Sequence, residues 1–241
     1  TELEFLKKIK YQDSIYFLGL DINPNMVERA NKSASANNQI YAQFKVEDLN
    51  KLKLQKKFDV FIANHSLHHL VNLEGIFEEL AANSSDEMMF LINDMIGKNG
   101  HQMWSNTKKV VEDIWKNLDL KYKYNAYFKR FDKGIMDIDC STDGFEGIRA
   151  QDILPLLNQY FDLEFYFPFA TIINRFTDRA YGHNFKIDDP TDVELILKIL
   201  KLDVKLLEEK KLSPTQAFIK AVKKGNSANK INLFQTPAET I

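Results

Sequence analysis

Four strand-sized runs, each closed by polar residues and spaced by helical segments, constrain this chain more than any other feature. They are 15–20 (IYFLGL) ending at Asp21, 42–46 ending at Glu47-Asp48, 58–63 (FDVFIA) ending at Asn64-His65, and 88–92 (MMFLI) ending at Asn93-Asp94. Between them, Pro24 opens a helix to about residue 33, since proline suits a first helical turn. Residues 73–82 also have helical spacing. Nearly apolar strands that alternate with helices imply an α/β fold whose mostly parallel sheet is covered on both faces.

The rest of the chain is less regular. Residues 2–8 read as the end of a helix, with Leu3, Leu6 and Ile9 on one side. Residues 102–118 read as a helix with Trp104, Val111 and Trp115 as core contacts. Residues 121–149 are mixed, and DIDCSTDGFEG within them reads as a loop. A helix over 150–159, a strand over 163–167, a long amphipathic helix over 192–209 and a last strand over 215–222 follow. The expected organisation is one domain over 1–224, with an insertion of about 95–150, and a mobile polar tail over 225–241.

With 44% apolar and 12% aromatic residues, the chain has the material for a sizeable core. Its 32 basic and 34 acidic residues leave a net charge of −2, so no global field draws in nucleic acid. The one cysteine, Cys140, excludes an intrachain disulfide and a thiolate metal cluster, and a cytoplasmic address fits best. No apolar run approaches the ~20 residues that cross a bilayer. No signal peptide is evident, and the first residue is threonine, so the expectation is a start inside a longer gene product.

In open α/β sheets, ligands sit beyond the carboxyl ends of the strands. An acid there, such as Asp21, can accept hydrogen bonds from ribose hydroxyls, and a second, such as Asp48, can accept from an exocyclic amine. Either acid can equally cap the helix that follows it. His65 and His69 are four apart, but with no acid close to them in sequence, His65, His68 and His69 read as capping and packing residues. No metal site is assigned.

Taken together, FLGLDINPNMVERA, FKVEDLNKLKL and KFDVFIANHSLHHL resemble the cofactor-binding half of class I S-adenosylmethionine-dependent methyltransferases. The resemblance covers about 5–92, and 163–222 as the final two strands. It implies a Rossmann-like sheet with an antiparallel last strand, and S-adenosylmethionine as cofactor with S-adenosylhomocysteine as product. By position, Asp21 would bind the ribose hydroxyls and Ile22 would pack on the adenine. Asp48 would accept from the adenine amine, with Leu49 adding its backbone N–H, and Asn23 and Glu47 would belong to the same cofactor-binding set. Asn64 and His65 would line the methionine end. The family's glycine-rich loop is expected just before Thr1.

The same resemblance places acceptor specificity in the insertion after the fourth strand. There NDMIGKNGHQMW puts Asp94, Asn99, His101 and Trp104 near the methyl group. His101 ranks first as a general base because of its intrinsic pKa. Asp94 is a second candidate, since burial would raise its pKa, and His183 in RAYGHNF is a third. Arg149, Arg179 and Asn184 are donors for hydroxyls or an acidic group. The acceptor expected is a small polar molecule, such as a sugar or polysaccharide precursor, with no nucleic-acid or membrane partner. Two rivals remain: a nicotinamide-dependent Rossmann oxidoreductase, and a non-catalytic methyltransferase-like scaffold.

Overall fold

The computed structural model describes residue 8 and residues 15–36, 41–142, 144–227 and 229–240. Leu3, Leu6 and Ile9 of the helix end expected over 2–8 lie outside them. The chain divides into two compact units, 1–53 and 54–241.

In the first unit, β1 (Phe17–Asp21) pairs in parallel with β2 (Ala42–Val46), and α1 (Pro24–Ala36) connects them. Asn31 of α1 fixes the connection: its amide donates to the Phe44 carbonyl at 2.9 Å and its Oδ1 accepts the Phe44 N–H at 3.1 Å. Gly19 lies directly under the Phe44 ring. A Cβ there would fall 2.3 Å from Phe44 Cδ1, so only glycine admits the ring.

The second unit is built on a five-stranded sheet of order β3-β4-β8-β7-β9, comprising β3 (Phe58–Asn64), β4 (Ser84–Met95), β7 (Phe161–Phe169), β8 (Gln216–Lys223) and β9 (Ile231–Asn232). β3 and β4 run parallel, β8 is antiparallel to both β4 and β7, and β9 is parallel to β7. The α/β class with an antiparallel last long strand is as expected. β4 extends well beyond the apolar run 88–92, because alternation, not continuous apolarity, marks its ends. Met88, Phe90, Ile92 and Asp94 are all buried. On the opposite face Val60, Ile62, Met89 and Phe218 are exposed. α2 (Leu73–Ala82) and α4 (Ala150–Tyr160) flank the sheet, and Phe77, Phe90 and Phe161 meet edge to face.

The segment after β4 carries α3 (Ser105–Asn117) and the short hairpin β5 (Tyr124–Asn125) and β6 (Arg130–Phe131). It does not pack alone. Met103, Val111, Trp115 and Tyr122 share a core with Phe176 of α5 (Asn174–Thr177), Ile199 of α6 (Pro190–Glu208), and Ile172 and Tyr181 from the segments flanking α5. Trp104, expected in this core, precedes α3 and is only half-buried, and Met103 is buried instead.

The stretch expected as a mobile tail is docked. Leu233 donates its N–H to the Tyr166 carbonyl at 3.0 Å, continuing the pairing of β9 with β7. Gln235 is buried and donates to the Leu207 and Leu212 carbonyls at 3.0 and 2.8 Å. No helix of the described residues is long and apolar enough to cross a membrane.

Candidate active site

Each unit carries part of the expected site, and each part has its own geometry. At the end of β1, Asp21 accepts the Asn23 N–H at 2.8 Å and remains exposed. Asn23, not Asp21, caps α1, accepting from the N–H groups of Asn25 at 2.9 Å and Met26 at 3.4 Å. Ile22 between them is 67% exposed. After β2, Glu47 continues the ladder to the Asp21 carbonyl. Asp48 caps the short turn at Leu49–Lys51, accepting from the Asn50 N–H at 3.0 Å and the Asn50 amide at 3.1 Å. Those bonds, with Lys51 at 3.3 Å, hold its carboxyl below the usual range.

In the second unit, the ends of β3 and β4 build a dense polar cluster. Asn93 donates to Asn64 at 3.0 Å and lies 3.4 Å from the ring of His65, whose backbone has φ 49°. The chain then folds back over the buried Asp94. Its carboxylate receives the N–H groups of Ser66 at 2.9 Å, Leu67 at 2.8 Å and Met95 at 2.8 Å, and His68 Nδ1 at 2.5 Å. Burial pushes this carboxyl up, but His68 and the turn N–H groups outweigh it and hold it low. Asp94 therefore stays ionised, the reverse of the raised acid expected. Its donors are all groups of this cluster, His68 among them.

The loop DIDCSTDGFEG brings Glu146 to this point. Its Oε1 lies 2.8 Å from His101 Nε2 and 3.4 Å from His68 Nε2, and its Oε2 is 3.6 Å from His69 Nδ1. His101 has φ 57° and follows Gly100, with φ 65°. Main-chain bonds tie the three segments together: Gly100 N–H to the Gly147 carbonyl at 2.8 Å, and Ile148 N–H to the His68 carbonyl at 3.1 Å. The Arg175 guanidinium donates to the His101 carbonyl at 2.6 Å. Burial pushes the His101 pKa down, against the pull of Glu146, and the charge of His68 adds to the fall. The ring is thus neutral over most of the physiological range. Its Nδ1 is buried with no partner among the described residues.

Other residues expected at the acceptor lie elsewhere or are consumed by structure. Arg149 forks onto Glu74 at 2.6 and 2.8 Å and onto Asp152 at 2.8 Å, and donates to the Val71 carbonyl at 2.8 Å. Asn184 donates to the Tyr122 and Tyr124 carbonyls at 3.1 and 2.8 Å. His183 is exposed against Tyr124, outside the cluster. Asn99 exchanges hydrogen bonds with Gln151 at the start of α4. Trp104 keeps a buried ring N–H without a partner among the described residues. Glu146 lies in the stretch that reads as a loop in the sequence and is not singled out there, because nothing in the spacing ties it to His68 or His101.

A family model described as a methyltransferase domain matches residues 5–133, more than half of the chain. No curated protein matches. Solved structures similar in fold include the StiE O-MT (11% identity, 95% of this chain and 66% of that one, TM-score 0.50) and the cyclase SpnF (14%, 92% and 70%, TM-score 0.50). Another is the O-methyltransferase from a trans-AT PKS multienzyme of Brevibacillus brevis, in complex with S-adenosyl-L-homocysteine (13%, 88% and 59%, TM-score 0.46). This chain spans less than two thirds of the StiE and Brevibacillus chains. With more than half its length inside that family model and an α/β fold shared with the StiE O-MT, the chain belongs to the class I S-adenosylmethionine-dependent methyltransferase family.

Proposed function

We propose that this protein transfers the methyl group of S-adenosylmethionine to a hydroxyl of a small polar acceptor, such as a sugar or polysaccharide precursor. The observation that carries this reading is the cluster at the ends of β3 and β4. There a neutral, mostly buried His101 and an oriented His68 converge on Glu146. When bound, the cofactor supplies an electrophilic methyl carbon and a sulfur that leaves as a neutral thioether. A hydroxyl attacking that carbon must lose its proton, and the cluster is where that proton is lost.

For the cofactor, the exposed carboxylate of Asp21 supports the ribose role, and the uncovered Ile22 supports packing on a flat base. Asp48, held ionised, remains an acceptor for an amine, with Leu49 beside it. Asn23 and Glu47 complete the two strand-end loops, and Asn64 and His65 serve the methionine end. Near-neutral charge and a single cysteine support a cytoplasmic small-molecule enzyme over one that handles nucleic acid.

Calorimetry with S-adenosylhomocysteine tests the cofactor. Asp21→Ala is expected to weaken binding about 10- to 100-fold, since ribose hydroxyls lose a charged acceptor. Unchanged affinity overturns the assignment. His101→Ala is expected to lower turnover by about 10²–10⁴ with cofactor affinity intact, and His183→Ala to leave turnover within a few-fold.

A further inference from the structure

We infer that His68, His101 and Glu146 form a site for a borderline-soft divalent cation of the zinc class, with a fourth position open to an oxygen ligand. One ligand atom from each of the three lies within 4.8 Å of the others. Two imidazoles and one carboxylate make up a donor set that zinc takes with three protein ligands and one open position.

The hydrogen-bond pattern favours a cation over a plain polar cluster. Asp94 accepts three backbone N–H groups and lies 2.5 Å from His68 Nδ1, which leaves His68 Nε2 turned toward the carboxylate oxygen of Glu146, 3.4 Å away. A carboxylate that fixes the tautomer of a ligating histidine from behind is the usual support of a metal site. Tetrahedral bonds of 2.0–2.2 Å separate ligand atoms by about 3.4 Å. The His68–Glu146 pair already has that spacing, and the His101–Glu146 pair, at 2.8 Å, needs to open by about half an ångström.

The backbone is shaped for this approach. Gly147 has φ 67°, and a Cβ on it would lie 3.0 Å from His101 Cε1, so glycine is what lets the Glu146 loop reach the ring. His69 Nδ1, 3.6 Å from the same carboxylate, adds a nitrogen at the rim.

What the cation does rests on the proposed function; whether it binds does not. An acceptor hydroxyl taking the open position would have its pKa lowered and release its proton to solvent water. Its oxygen then forms the bond to the methyl carbon as the carbon–sulfur bond breaks. In this account His101 serves proton loss as a ligand.

The test uses the whole chain, stripped with chelator and without cofactor, titrated with Zn²⁺ by calorimetry and with Co²⁺ by visible absorption. One ion per chain is expected. His68→Ala and Glu146→Ala should each weaken binding by about 100-fold with the circular dichroism spectrum unchanged. Asp94→Asn should weaken it by about 10–100-fold, as loss of a supporting carboxylate does. Absence of stoichiometric binding overturns the inference, as does equal affinity in His68→Ala and Glu146→Ala. Methyl transfer that is the same with and without chelator removes the cation's role in the reaction and leaves the proposed function standing. Cation binding without cofactor binding does the reverse.

Discussion

Arg149 divides its donors among Glu74, Asp152 and the Val71 carbonyl, and so ties the start of α4 to the start of α2. The guanidinium lowers the Glu74 carboxyl to about 2. Glu74 is half-exposed, and solvent screening limits the pair to on the order of 1 kcal/mol. Arg149→Ala is therefore expected to lower the unfolding free energy in urea by about that much while leaving KM for the acceptor unchanged. A raised KM at unchanged stability would return Arg149 to the acceptor site. The sequence pointed to Arg149 because a guanidinium beside glycines resembles a ligand donor; what it could not show was Glu74, supplied by another helix. Asp94 was visible for the opposite reason, since a carboxylate closing an apolar strand has few bland explanations. Its partner His68 was visible as a residue but not as a role, because the pairing depends on a turn folding back over the end of β4.

At the scale of elements, side-chain periodicity exposed what side chains determine. α2 and β2 have the bounds that the apolar pattern set, and β4 is longer because its polar ends still alternate. β9 and the chain after it left no such trace. They are held by main-chain pairing with β7 and by one amide, Gln235, that reaches the Leu207 carbonyl in the last turn of α6 and the Leu212 carbonyl beyond it. A polar segment docked by backbone bonds has the composition of a free tail. Gln235→Ala removes the side-chain donor to the Leu212 carbonyl and one of the donors to the Leu207 carbonyl, which keeps the Lys210 N–H, so it should cost about 1–3 kcal/mol in the urea transition. Lys230→Ala, exposed on the same segment, should stay within about 0.5 kcal/mol. Equal effects of the two would mean the segment is not docked in solution.

For the molecule as a whole, the segment after β4 and the one containing α5 and α6 share a core, and buried carboxylates lie within and around it. Asp192 is buried and held at about 2 by Lys121 and Tyr122, and Asp132 is held low because Asn125, Arg130 and Tyr181 outweigh its burial. For each of these, and for Glu74, the native state binds fewer protons than the unfolded chain at mildly acid pH. Their contribution is therefore complete above the ordinary carboxyl values near 4 and is lost as pH falls toward 2. Asp203 and Asp178 have the opposite sign. Burial pushes both up despite their backbone N–H partners, so what they contribute is present below the ordinary value and lost as pH rises through the raised one. The depressed carboxyls outnumber the raised ones among the described residues, so the urea midpoint should fall steeply from about pH 5 to about pH 2. Asp203 allows the two signs to be separated. Its Oδ2 accepts from Thr171 and Ile173 at 3.1 and 3.0 Å, while Oδ1 is buried with no partner among the described residues. Asp203→Asn keeps the acceptor and removes the buried charge. It should raise the midpoint at pH 7, and the gain should vanish at acid pH, where the wild-type group is already protonated. A loss at pH 7 that disappears at acid pH would mean that the charge of Asp203 stabilises the turn at 171–173 more than its burial costs.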